Sequence, residues 1–133
     1  MAINPQQELF TRLLLDLRRI FDEQGVKVYD GFLPPEGTAY PFVYIGEFRQ
    51  ADTATKKGVW GSVYPMIHVY HNDPYLRGTV SKMLLDIIYA LRDIEHTDNF
   101  AWCIRDVQQN VLNDNTTKTP LLHGIVQATL RFS

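Results

Sequence analysis

The chain has 133 residues, enough for one domain, and its formal net charge of -2 gives no general pull towards nucleic acid or an anionic membrane. Its composition, 45% hydrophobic and 21% charged, is that of a globular fold and excludes a disordered one. The single cysteine, Cys103, excludes an internal disulfide and fits a reducing compartment.

Met1-Ala2-Ile3-Asn4-Pro5 shows no basic segment followed by an apolar core, so no secretory signal is expected. No apolar run approaches the ~20 residues that span a bilayer, so no membrane partner is expected either. Asn4 is placed to cap a helix, with Pro5 at its first position, where a missing N–H costs nothing. Leu9, Leu13, Leu14, Leu17, Ile20 and Phe21 follow at helical spacing, with Arg12, Asp16, Arg19 and Glu23 on the opposite face. Gly25 supplies the stop.

Val26 to Tyr29 reads as a short strand. Asp30 to Pro41 holds Gly31, Pro34, Pro35 and Gly37 and is expected to be a loop of restricted backbone. Phe42 to Arg49 and Trp60 to Tyr70 read as strands that pair as an antiparallel hairpin, joined by a long polar connection from Gln50 to Gly58. Asn72-Asp73-Pro74 predicts the second helix start, with Asp73 as cap. Leu76, Val80, Met83, Leu84, Ile87 and Leu91 form its apolar stripe.

Asp93 to Asn99 reads as a polar loop, and Ala101 to Leu112 as a fourth strand whose imperfect alternation suits a bulge. Asn113 to Thr119 is turn-rich. Leu122 to Phe132 alternates cleanly, with Leu122, Val126, Ala128, Leu130 and Phe132 on one face. The expected fold class is α+β, in the order α-β-β-β-α-β-β: a largely antiparallel sheet of about five strands with both helices on one face.

A sheet covered on one side should alternate apolar and polar residues. The central hairpin does not. Val63, Ile67 and Val69 fit a core face, while Trp60, Tyr64, Met66, His68 and Tyr70 share the other parity. Phe42, Tyr44 and Phe48 share one parity of the preceding strand, and Val43 and Ile45 the other. Large apolar area on a second face marks a binding surface, and Tyr, Trp and Met are enriched at interface centres. Phe42, Tyr44, Phe48, Trp60, Tyr64, Met66, His68 and Tyr70 are therefore the expected protein interface. Pro65 is expected at an edge or a bulge. The competing expectation is that the sheet curls and a loop covers this face.

Catalytic, cofactor and metal signatures are missing from the sequence. His68 and His71, three apart on a strand, point to opposite faces and do not converge on a metal. His96 and His123 read as surface residues. Cys103, beside Trp102, reads as a buried small hydrophobe rather than a nucleophile. There is no phosphate-binding glycine loop, and Gly58-x-x-Gly61 leads into a strand rather than a helix. Neither Ser62 nor Ser81 lies in a Gly-x-Ser-x-Gly context. No enzyme activity, cofactor or metal is expected.

Across nearly its whole length the sequence resembles the tail-completion and tail-terminator proteins of long-tailed bacteriophages, a family of head–tail joining components. The likeness rests on the amphipathic first helix, Val28-Tyr29-Asp30-Gly31, a proline-rich loop and Tyr40-Pro41-Phe42-Val43-Tyr44-Ile45-Gly46-Glu47. Pro65-Met66-Ile67-His68-Val69-Tyr70, a helix ending Ile88-Tyr89-Ala90-Leu91 and two closing strands complete it. The resemblance implies a virion protein of the tail or neck, made in the host bacterial cytoplasm. It implies a ring, often hexameric, that stops tail-tube growth and meets the head-neck proteins. It also implies that the hairpin connection, with Arg49, Asp52, Lys56 and Lys57, faces the lumen or a neighbouring ring.

DNA would pass through such a lumen transiently, without specific nucleic-acid binding. The basic Lys56 and Lys57 and the acidic Asp93, Glu95, Asp98, Asp106 and Asp114 would orient neighbouring copies. Two other functions fit the same residues: an adaptor or ligand-binding domain, and a small enzyme with a pocket around His68 and Tyr70.

Overall fold

The computed structural model describes residues 3–55, 58–116 and 118–133. Helix α1 (Pro5–Asp22) starts where Asn4 Oδ1 accepts the Gln7 N–H at 3.1 Å, as the sequence predicts. It ends in a Schellman motif: Val26 N–H donates to Phe21 O and Gly25 N–H to Asp22 O, with Gly25 at φ 70°. Leu9, Leu13, Leu17 and Phe21 are wholly buried. Asp16, expected on the wet face, is buried too; Arg12 at 2.7 Å and Arg19 at 3.7 Å compensate its charge.

Strand β1 (Lys27–Asp30) pairs in parallel with β2 (Phe42–Thr55), which pairs antiparallel with β3 (Gly58–His71). The expected connection Gln50–Gly58 is largely strand. Arg49 pairs with Tyr64 and Asp52 with Gly61, and the ladder runs on to Thr55 and Gly58. Thr53 and Thr55 are good strand formers, but a two-stranded arm reaching beyond the core leaves no apolar alternation to read. Arg49 and Asp52 are thus strand residues, and Lys56 and Lys57 lie outside the described residues.

Helix α2 spans Arg77–Asp93, later than expected. Asp73 caps the turn before it: its Oδ1 accepts the Tyr75 N–H at 2.9 Å, and Leu76, at the helix start, is 41% exposed rather than in the stripe. Strands β4 (Trp102–Asp114) and β5 (Leu121–Phe132) close the chain, and the sheet order is β1-β2-β3-β5-β4. The last strand is therefore inserted between β3 and β4, antiparallel to both. The fold is α+β, as expected, with β1–β2 its one parallel pair among the described strands.

Both helices lie on one face, α1 over β1 and β2, and α2 over β3, β4 and β5. Gly124 sets the closeness of that packing, since a Cβ there would come within 2.8 Å of Val80 Cγ1 and 3.0 Å of Leu84 Cδ2 on α2. The loop before β4 is tied to α1 through Glu8, which accepts hydrogen bonds from Thr97 Oγ1, Asn99 N and Asn99 Nδ2. Partial burial works against the Glu8 charge, but these donors prevail and hold its carboxyl below its ordinary range. No helix among the described residues is long and apolar enough to cross a membrane.

Candidate functional site

The face of the sheet away from the helices is built by alternate residues of β2, β3, β5 and β4. Along β3 the alternation is regular: Val63, Ile67 and Val69 are wholly buried towards the helices, while Tyr64, Met66, His68 and Tyr70 are half-buried on the open side. Neighbouring side chains supply the partial cover; no second layer lies over them among the described residues.

Two features break the expected parity. Gly46 and Glu47 stand opposite Met66 in a β-bulge, and from there β2 shows its other face. Phe48 consequently points to the helix side, where it packs edge-on against Phe10 with ring centroids 5.4 Å apart; it does not belong to the open face. Glycine suits this point, because a Cβ at Gly46 would lie 2.8 Å from His68 Nε2 and force that ring to shift. Phe42 remains on the open side but is 5% exposed, enclosed by Tyr29, Tyr40 and Tyr70, so it is a packing residue and not a contact surface.

Pro65 takes the second of its two expected positions, a bulge, and not an edge. It sits in a central strand, opposite Phe48 at the bulge, where the pairing to β5 is also interrupted between Val63 and Met66. Proline has no N–H to give either neighbour, and the Phe48 carbonyl takes a hydrogen bond from Gln6 Nε2 on α1.

At one end of the open face the rings form a continuous stack. Phe42 stacks on Tyr70 at 5.3 Å, Tyr70 on His123 at 4.3 Å with 13° between planes, and His123 on His68 at 5.0 Å. His68 Nδ1 and His123 Nε2 are 2.8 Å apart and share one N–H···N hydrogen bond, which requires both rings to be neutral or singly charged as a pair. Burial, reinforced by the neighbouring His123, pushes His68 down to about 4. Burial also lowers His123, against the pull of Asp114. Tyr70 is raised by burial, with Asp114 and Tyr44 adding to it.

His123 is thus part of the site and not the free surface histidine expected. Only the strand order puts it beside His68, 55 residues away in sequence. His71, by contrast, lies on the buried side, where its Nδ1 accepts the Asp73 N–H at 3.3 Å.

At the other end two cations lie over rings: Arg49 over Tyr64 at 4.8 Å and Arg131 over Trp60 at 5.0 Å. A hollow of about 350 Å³ crosses the four strands between Glu47, Arg49, Tyr64, Met66, Asp106 and Gln127. Trp60 is 41% exposed. Cys103, expected buried, is exposed on this side, because Trp102 takes the inward position. The five acidic residues do not make one patch: Asp106 and Asp114 stand near opposite ends of β4, and Asp93, Glu95 and Asp98 lie at or beyond the end of α2. No three metal-ligating side chains converge among the described residues.

The open face can therefore stack, cover apolar side chains and exchange charge-assisted contacts. Neither the known family models nor the curated proteins include a match to this sequence. Among solved structures, a chain of the virion of a native gene transfer agent particle shares the fold: TM-score 0.69 at 16% identity, covering 98% of this chain and 99% of that one. The type 4 fimbrial biogenesis protein PilO from Pseudomonas aeruginosa aligns at a TM-score of 0.40 and 12% identity, over 98% of this chain and 73% of that one, too loosely to carry an argument. What the first likeness establishes is the α+β fold.

Proposed function

We propose that this chain is a structural protein of a phage or phage-like particle that acts by assembly and not by turnover. In this reading it occupies the head-proximal end of the tail as a terminator or completion ring, and meets tail-tube and head-neck proteins. One observation carries the reading: an end-to-end match of fold, with almost nothing left over on either chain, to a component of a virion. The half-covered open face supports it independently, since Tyr64, Met66 and Trp60 are residues that gain by being covered. The net charge of -2 suits a lumen that lets DNA slide past without gripping it.

Size-exclusion chromatography with light scattering across a concentration series, followed by negative-stain imaging, tests the proposal. Rings of uniform subunit number that seat on the ends of isolated tail tubes are the expected result. A particle-free activity on a small molecule, or tight binding to duplex DNA at physiological salt, would overturn it.

A further inference from the structure

We propose that the outer edge of β4 from Val107 to Asn113 is an intermolecular pairing edge, and that its partner is the outer edge of β2 from Arg49 to Thr55 in a second copy of this chain. Both edges are unpaired among the described strands. β4 pairs with β5 alone. β1 covers β2 only from Phe42 to Ile45, and the Gln6 side chain closes the edge at Phe48. Beyond that point the only strand β2 pairs with among the described strands is β3.

A long edge strand is a template for another chain, and monomeric proteins blunt it with charge, proline or a bulge. In β4 those devices stand outside the central stretch. The bulge, Arg105 and Asp106 lie before it and Asp114 after it. From Val107 to Asn113 the strand carries no charge, proline or register shift. Arg77, which reaches the Val111 carbonyl at 3.4 Å, is the one side chain seen bonded to its backbone among the described residues.

The β2 edge fits this stretch in three respects. The two segments are equal in length. Their charges agree in the antiparallel arrangement, the one that keeps the helices of both copies on the same side of the joined sheet, because Arg49 then arrives opposite Asp114 with both on the open side. Finally, Gln50 Oε1 is buried without a hydrogen-bond partner, on the helix side of the sheet, where that register sets the exposed Asn113 of a neighbouring β4 opposite it. A side-chain amide from a neighbouring β4 supplies the donor it lacks.

The two edges lie on opposite sides of one sheet, so joining them uses both on every copy. That is a heterologous contact, which closes into a ring when its rotation allows. The inference does not depend on the virion reading: an edge-paired oligomer with no place in a particle would leave it standing.

The test uses the full chain in a Cys103→Ser background. Ala51→Cys and Asn110→Cys, on β2 and β4, are both exposed on the open side. With a short bifunctional maleimide, the double variant should give a ladder of multimers, and an equal mixture of the two single variants should give dimer only. Cross-linked dimer from Asn110→Cys alone would mean two-fold β4–β4 pairing and would overturn the proposal. So would oligomers that give no ladder, or a monomer up to the solubility limit. Because alternate residues of an edge strand aim their N–H outwards, one of Gln109→Pro and Asn110→Pro spares the β5 ladder. That variant should keep its circular dichroism and oligomerise at least tenfold more weakly; parental association by a folded variant also overturns the proposal. Rings without a ladder would sink this inference and keep the virion reading, while a ladder with no affinity for tail tubes would do the reverse.

Discussion

On its helix side the β2–β3 hairpin presents Val43, Ile45, Val63, Ile67 and Val69, none more than 1% exposed. On its other side Tyr44, Tyr64, Met66, His68 and Tyr70 are only half covered, by neighbours on the same open face such as Phe42, Arg49 and His123. The two faces come from the same strands and are comparably apolar, yet one is finished by two helices and the other by no second layer among the described residues. Apolar content alone does not say which side of a strand is a core; a packed second layer does. The difference also divides the two faces by energetics, because the inner face supplies stability and the outer face is left with apolar area half uncovered.

Substitutions can break or sharpen that contrast. The largest effect is expected inside: Ile67→Ala should cost about 2–5 kcal/mol in urea unfolding, since it leaves a cavity in a close-packed layer. Next comes the bulge where β2 exchanges its faces. Gly46→Ala forces a Cβ against His68 Nε2 and should cost about 1–3 kcal/mol, with a visible shift of the His68 ring resonances.

The histidine pair gives a pH signature belonging to the outer face alone. His68 has a folded pKa of about 4 against an ordinary 6.5, so the native state binds fewer protons than the unfolded one. Its contribution is complete above 6.5 and is lost as pH falls from there towards 4, with His123 acting in the same direction. Urea midpoints measured from pH 7.5 to 4.5 should fall for the parent and flatten for His68→Phe; equal slopes would remove the pair as the cause. The smallest stability effect is expected for Tyr64→Ser with Met66→Ser, each within about 1 kcal/mol. The same double variant should lose concentration-dependent association in light scattering, and normal association by it would deny the outer face its role.

Much of this molecule was legible in its sequence. The Asn4 cap, the Gly25 stop and the leucine spacing wrote α1, and the clean alternation of Leu122–Phe132 wrote β5. Elements failed to show where the signal was not hydrophobic period. The segment Gln50–Thr55 is strand, yet its sequence carries no apolar alternation, so it resembles a loop. Phe48 shares the sequence parity of Phe42 and Tyr44 but not their face, because one inserted residue inverts parity, and a bulge leaves little trace in composition. Cys103 and Trp102 are adjacent, and which of them faces inward follows from the register of β4 against β5.

The sequence by itself determined the inventory: two amphipathic helices, five strands in order, and a hairpin apolar on both sides. Those features are local, governed by spacing and by residues such as Asn4, Pro5 and Gly25 that act within a few positions. The tertiary structure alone decided that β5 enters between β3 and β4, that His123 meets His68, and that the far part of β2 and the outer side of β4 pair with no further strand among those described. These are pairings between residues far apart along the chain, set by which strands find each other as the helices bury the inner face.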